Sequence, residues 1–274
     1  MKSSQLIENS IIKLVFIILL IRGVYLPCYS QEGSRTRVKI GDIMYLDGSG
    51  NEHFCDFRQW DTLHPLGDLL GIVFYTRFVY DADSNKIWHG WVMYPHEGVN
   101  LMWAPQNSIC YSNHIASYAT SGVSTPHNPA PNYQNKATKD TCGWQNTYRL
   151  LDFIYTGQGQ TLTNEVSPAF YYIFHDLNGI QDFSTKPIMT ASSWYMPSFG
   201  QLFQIFGCSG YLNASIAACG GDFLVNEGCW CGSTEGAPRF PSRLWVCTYM
   251  EACVVAPPYG IKNYSFKIRP VRSF

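Results

Sequence analysis

Charge is scarce in this 274-residue chain: only 14% of its residues are Asp, Glu, Lys or Arg, and they almost cancel at a formal net charge of −1. Proteins that grip nucleic acid need a concentrated cationic surface to displace counterions from phosphates. No run of lysine or arginine supplies one, so nucleic acid is set aside as a partner. A membrane-spanning run is missing as well. The apolar stretch Leu14-Val15-Phe16-Ile17-Ile18-Leu19-Leu20-Ile21 is broken by Arg22 and falls well short of the roughly 20 residues a spanning helix requires. The strong enzyme signatures are also absent: there is no His-Glu-x-x-His pair, calcium loop, Gly-rich phosphate loop or Gly-x-Ser-x-Gly elbow. No repeat of solenoid type occurs. What the chain does have is 46% hydrophobic residues and 15% aromatics among 23 glycines and 15 prolines, the composition of a β-rich globular protein.

The first 30 residues have the layout of a secretory signal, with Lys2 and Lys13 ahead of the apolar run and Cys28-Tyr29-Ser30 before Gln31. Cleavage is expected after Ser30, with release to the cell surface or beyond and no membrane span left in the mature protein. Cys28 follows Pro27 rather than a small residue, so lipid anchoring there is not favoured. Without this segment the chain keeps 16 basic and 19 acidic residues, a formal charge of −3. Nine cysteines remain: Cys55, Cys110, Cys142, Cys208, Cys219, Cys229, Cys231, Cys247 and Cys253. Export permits disulfides, but a domain of this size can also use thiols as small core residues.

Short β-branched and aromatic runs bounded by turn residues mark strands at Ile40 to Tyr45, Gly71 to Tyr75, Gly90 to Tyr94 and Asn100 to Trp103, with a turn at Asp47-Gly48-Ser49-Gly50. Pro126 to Asn132 is the best candidate for a loop between two halves. Helical spacing follows in Tyr148, Leu151, Ile154 and Tyr155, and again in Phe170, Ile173, Phe174 and Leu177, with Pro168 suited to a first turn. Ser198 and Gln201 have the spacing of a capping box, and a second short helix over Leu212 to Cys219 is closed by Gly220-Gly221. Strands return at Leu244 to Tyr249, Cys253 to Val255 and Tyr264 to Ile268.

Motif order in the last third resembles the C-terminal domain of the Legionella collagen-like protein family and its relatives of unassigned function among Bacteroides-type exported proteins. The matching elements are Trp194-Tyr195-Met196-Pro197-Ser198, Asn213 to Gly221, Trp230 to Glu235, Leu244 to Val246 and Lys267 to Phe274. Gly41 to Tyr45, Gly71 to Tyr75 and His89 to Val92 extend it to the amino-terminal strands. Cys231 and Gly232 depart from the family's Trp-Ser-Ser-Thr-Glu pattern, and Met196 replaces its leucine. The resemblance implies an α+β, C-type-lectin-like fold with mixed and antiparallel sheets, two to three helices, and paired first and last strands. It implies one domain over residues 37–274, after a polar lead-in at 31–36.

Several residue sets invite chemistry. Ser233, Thr234 and Glu235 suggest a catalytic or metal cluster, although such a run more often bonds its own turn backbone. Cys229 and Cys231 fall on one strand face and, with Cys208 and Cys219, suggest a thiolate site, but the usual Cys-x-x-Cys spacing is missing. Cys247 and Cys253 would sit opposite each other across a hairpin and form the candidate disulfide. Trp88 and Trp91 are the candidate sugar-facing aromatics, with Arg239 and Arg243 as candidate contacts to acidic glycans. Arg269 and Arg272 invite the same reading. The resulting expectation is a non-catalytic recognition or adhesion module without cofactor, directed at a glycan or a surface protein. The alternatives are a structural or accessory subunit of a bacterial surface assembly, and an oxidase of the formylglycine-generating type, which rests on fold analogy alone.

Overall fold

The computed structural model describes residues 37–63, 67–80, 84, 86–115, 138–224, 229–235, 241–248 and 261–274. In chain order its strands are β1 (Ile43–Asp47), β2 (Glu52–Cys55), β3 (Gly67–Tyr80), β4 (Lys86–Met93), β5 (Gly98–Met102), β6 (Cys229–Glu235), β7 (Leu244–Thr248), β8 (Ser265–Ile268) and β9 (Val271–Ser273). The helices are α1 (Phe57–Leu63), α2 (Ile109–Ser112), α3 (Gly143–Asp152), α4 (Pro168–Tyr172), α5 (Phe199–Gly207) and α6 (Ser209–Ala218). These six exceed the two or three that the resemblance implies, while the α+β class with mixed and antiparallel sheets holds. From Val38 onward the chain forms one compact unit.

Five strands make the first sheet, in the order β2-β1-β3-β4-β9. The β1–β2 turn is where the sequence places it. The Asp47 carboxylate accepts the Ser49 and Asn51 amides at 2.8 and 2.9 Å, closing the chain on itself before β2. The expected pairing of first and last strands is corrected here. β1 bonds β2 and β3, whereas β9 bonds β4. The termini share a sheet but are separated by the β3–β4 hairpin, because β3 is long enough to bond β1 along its first half and β4 along the rest. The second sheet runs β5-β8-β6-β7 and is antiparallel except between β6 and β8.

The middle strands of both sheets carry stretches buried on two faces. Val73 and Val92 point into a core shared with α3 and α4, while Ile72, Phe74 and Met93 point into another shared with α5 and α6. On β7, Leu244 and Val246 join the first core, and Trp245 and Cys247 the second. This explains why Gly71 to Tyr75 and Gly90 to Tyr94 read as continuous apolar runs instead of alternating ones.

The helices start and stop where local chemistry directs. Pro168 occupies the first turn of α4, where its missing N–H costs nothing. Ser198 and Gln201 form the full capping box of α5, the Ser198 amide donating to Gln201 Oε1 at 3.0 Å. α3 and α4 end alike, each running into a π-helical turn, Phe153–Gly157 and Ile173–Leu177, and then into a glycine of positive φ, Gly159 and Gly179. The loop expected at Pro126 to Asn132 and the strand expected at Cys253 to Val255 lie outside the described residues.

Candidate functional site

The Cys231-Gly232-Ser233-Thr234-Glu235 segment is strand β6, and its polar side chains are consumed by the framework. Ser233, Thr234 and Glu235 are all buried. The Ser233 amide donates to Pro197 O at 2.7 Å, and its hydroxyl accepts from Asn146 Nδ2 at 3.3 Å. Thr234 donates to Asp140 Oδ2 at 2.6 Å and accepts the Phe199 amide at 2.8 Å, so it satisfies an otherwise free donor at the start of α5. Burial raises the Asp140 pKa against the lowering effect of these bonds. Gly232 is required here: a Cβ would meet Pro197 O at 2.6 Å.

Glu235 pairs with Lys262, and both side chains are fully buried. Lys262 Nζ also donates to Cys110 O and Asn113 O at 2.8 and 2.7 Å and sits 4.3 Å from the Trp103 ring centroid. Glu235 Oε2 accepts the Ile115 amide at 2.8 Å. This hub ties Ile115 to the end of β6 and to Lys262 ahead of β8. A second buried cluster centres on Arg269, which bonds Glu97 at 2.6 Å and Asp222 O at 2.7 Å. Trp230 Nε1 and Lys267 Nζ reach the same Glu97 carboxylate at 2.8 and 3.2 Å. Arg272 pairs with Glu52 at 2.7 Å. Arg269 and Arg272, read from sequence as glycan contacts, are therefore committed to internal ion pairs.

The other sequence candidates separate. Trp88 and Trp91, an odd number of residues apart on β4, face opposite sides of the sheet. Trp88 packs edge-on against Phe78, its centroid 5.7 Å away, and against the first core. Trp91 stacks on Tyr75 at 4.5 Å against the second. Arg243 is half-buried at the entry to β7, bridged through its backbone to Ile261, and Arg239 lies outside the described residues. Cys247 is buried opposite Trp230, and Cys253 lies outside the described residues. Cys231 is buried, whereas Cys229 at the strand's start is exposed, so their shared face does not give them a shared environment. Burial pushes the thiol of Cys55 up to about 11 and those of Cys110 and Cys219 to about 12, and it raises Cys231 as well. These values oppose the thiolate chemistry that the oxidase reading needs. Among the described residues no group of three or more His, Cys, Asp or Glu side chains is placed to hold a metal ion.

One cleft is built from this geometry. A bulge between Val73 and Tyr75 turns Tyr75 to the same side as Phe74, and alternation then carries Arg77 and Val79 to that side opposite His89 and Trp91. Together with Thr141, Gln204 of α5 and the end of β9, these residues line an open cleft of about 460 Å³. Sequence reasoning found Trp91 from its residue type. It missed Arg77, His89 and Gln204, because only the hairpin register and the docking of α5 bring them together.

No family model matches the chain, and no curated protein matches it either. Among solved structures it is similar to a fimbrial protein from Bacteroides ovatus, with a TM-score of 0.55 at 17% sequence identity. That likeness covers 87% of this chain and 49% of the other, so the chain spans about half the length of the fimbrial protein it matches. At this identity, what the two chains share is their fold.

Proposed function

We propose that the protein is a non-catalytic, extracytoplasmic subunit of a bacterial surface assembly, exported through residues 1–30. The observation that carries this reading is the fold shared with a fimbrial protein across 87% of the chain. Two others support it. Ser233, Thr234 and Glu235, the polar residues most suggestive of catalysis in the sequence, hold strands and helices together. The buried Glu235–Lys262 pair, with the Ile115 amide bonded to the same carboxylate, locks β6 to two distant stretches of chain, which suits a rigid scaffold. The single lectin-like domain over residues 37–274 belongs to the same proposal and is supported by motif order.

The test is expression with an epitope tag in a Bacteroides host. Intact cells are treated with protease, and surface material is sheared off and sized under mild, non-reducing conditions. The expected result is loss of the tag from intact cells and its recovery in species much larger than the monomer. A protease-protected, strictly monomeric protein would overturn the proposal. A second reading, recognition of a glycan, is favoured by the Tyr75–Trp91 cleft, and its signature is saturable saccharide binding by the monomer.

A further inference from the structure

We propose that the cleft over β3, β4 and α5 is a binding site for a carboxylate-bearing saccharide. The side chains lining it divide into three kinds of chemistry. Tyr75 and Trp91, half-buried and stacked at 4.5 Å, give it an apolar aromatic wall of the kind that takes the C–H face of a pyranose. Arg77 stands beside them, directly across the ladder from His89, and both are exposed. Among the described residues no acidic side chain lines the cleft, and Arg77 has no ion-pair partner. A guanidinium in that position presents a planar fork of donors that fits a carboxylate with two parallel bonds.

The third kind is an acceptor. Gln204 Oε1 is buried and has no hydrogen-bond partner among the described residues, although Gln204 lines the cleft. A buried acceptor left without a donor is costly, and a sugar hydroxyl would supply that donor. Thr141 lines the same cleft.

No simpler ligand satisfies all three. An inorganic phosphate would pair with Arg77 but offers no apolar face to Trp91. A neutral sugar would cover the aromatic wall and reach Gln204 while leaving Arg77 unused. A uronic or nonulosonic acid residue has the apolar face, the hydroxyl donors and the carboxylate together. The volume of about 460 Å³ lies within the range of ligand-holding clefts, roughly 300–1,000 Å³. The binding residues lie within one chain, so the site does not depend on the assembly reading and each can fail without the other.

The test is calorimetric titration of the purified protein with tetragalacturonide and sialyllactose, against maltotetraose, lactose and inorganic phosphate. The expected result is binding of at least one of the two acidic saccharides, with quenching of tryptophan fluorescence and loss of affinity as salt rises. Neutral saccharides and phosphate should bind at least tenfold more weakly. Arg77→Ala should lose about tenfold in affinity, and Gln204→Leu a smaller factor. The melting temperature of Arg77→Ala should match that of the parent, because Arg77 is exposed. Binding of neither acidic saccharide, equal binding of the neutral ones, or unchanged affinity in Arg77→Ala would each overturn the proposal.

Discussion

Replacing Lys262 with Met should destabilise the protein more than a change at almost any surface charge. The ammonium group sits fully buried between the Glu235 carboxylate, two backbone carbonyls and the face of Trp103. Methionine fills the space of the stem but leaves a buried carboxylate without its ammonium counter-charge, although it still accepts the Ile115 amide. Breaking a buried pair by removing one partner costs about 3–5 kcal/mol, because the remaining charge has lost both water and its counter-charge. Set against a total stability of about 5–15 kcal/mol, that is a large fraction. For a domain of this size it corresponds to a fall in Tm of roughly 6–20 °C. Adding Glu235→Gln should return about 1–3 kcal/mol, since the amide removes the stranded charge while its oxygen still accepts from Ile115. The assay is chemical denaturation of the two single variants, the double variant and the parent, with a common m-value as the check on two-state behaviour. A loss below about 1 kcal/mol in Lys262→Met, or a double variant less stable than Lys262→Met, would refute the assignment of this pair as a buried, coupled unit.

Three further outcomes are expected. Gly200→Ala should prevent stable folding or lower the Tm sharply, because the added Cβ would meet Asp140 O at 2.2 Å and Thr138 O at 2.6 Å, both backbone atoms that cannot step aside; a melting curve decides it. Burial raises the Asp42 pKa to about 6. A carboxyl with a raised folded pKa contributes stability that is full below its ordinary value near 4 and is lost as pH rises through about 6. Asp42→Asn should therefore flatten the stability profile between about pH 4 and 6, with equal slopes in variant and parent counting against the assignment. Alkylation of the native protein at pH 8 followed by peptide mass spectrometry should label exposed Cys229 well before buried Cys110 and Cys231, and early labelling of Cys231 would contradict its position in the core.

The boundaries that could be read from sequence are those set by neighbours in the chain. Ser198 and Gln201 announced a helix start because a capping box closes over three residues. Pro168 did the same by fixing its φ, and the Gly220-Gly221 stop by admitting the positive φ at which a helix ends. Buried polar partners gave no such signal. Asp140 meets Thr234 across 94 positions, and Glu97 meets Arg269 across 172, so neither pair leaves a pattern in a local window. The Ser-Thr-Glu run reads in sequence as bonding its own turn backbone, but its partners come from α3, from the entry to α5 and from Lys262.

The sequence by itself determined the α+β class and the positions of most strands and helices, because composition, periodicity and capping act over a few residues. It also marked Trp91 as a candidate binding residue by its type. The tertiary structure alone decided that Trp88 and Trp91 face apart, that β9 joins β4 instead of β1, and that Arg77 and Gln204 join Trp91 in one cleft. Register, bulge position and helix docking depend on which distant surfaces bury best against each other, and that choice is made only when the whole chain packs.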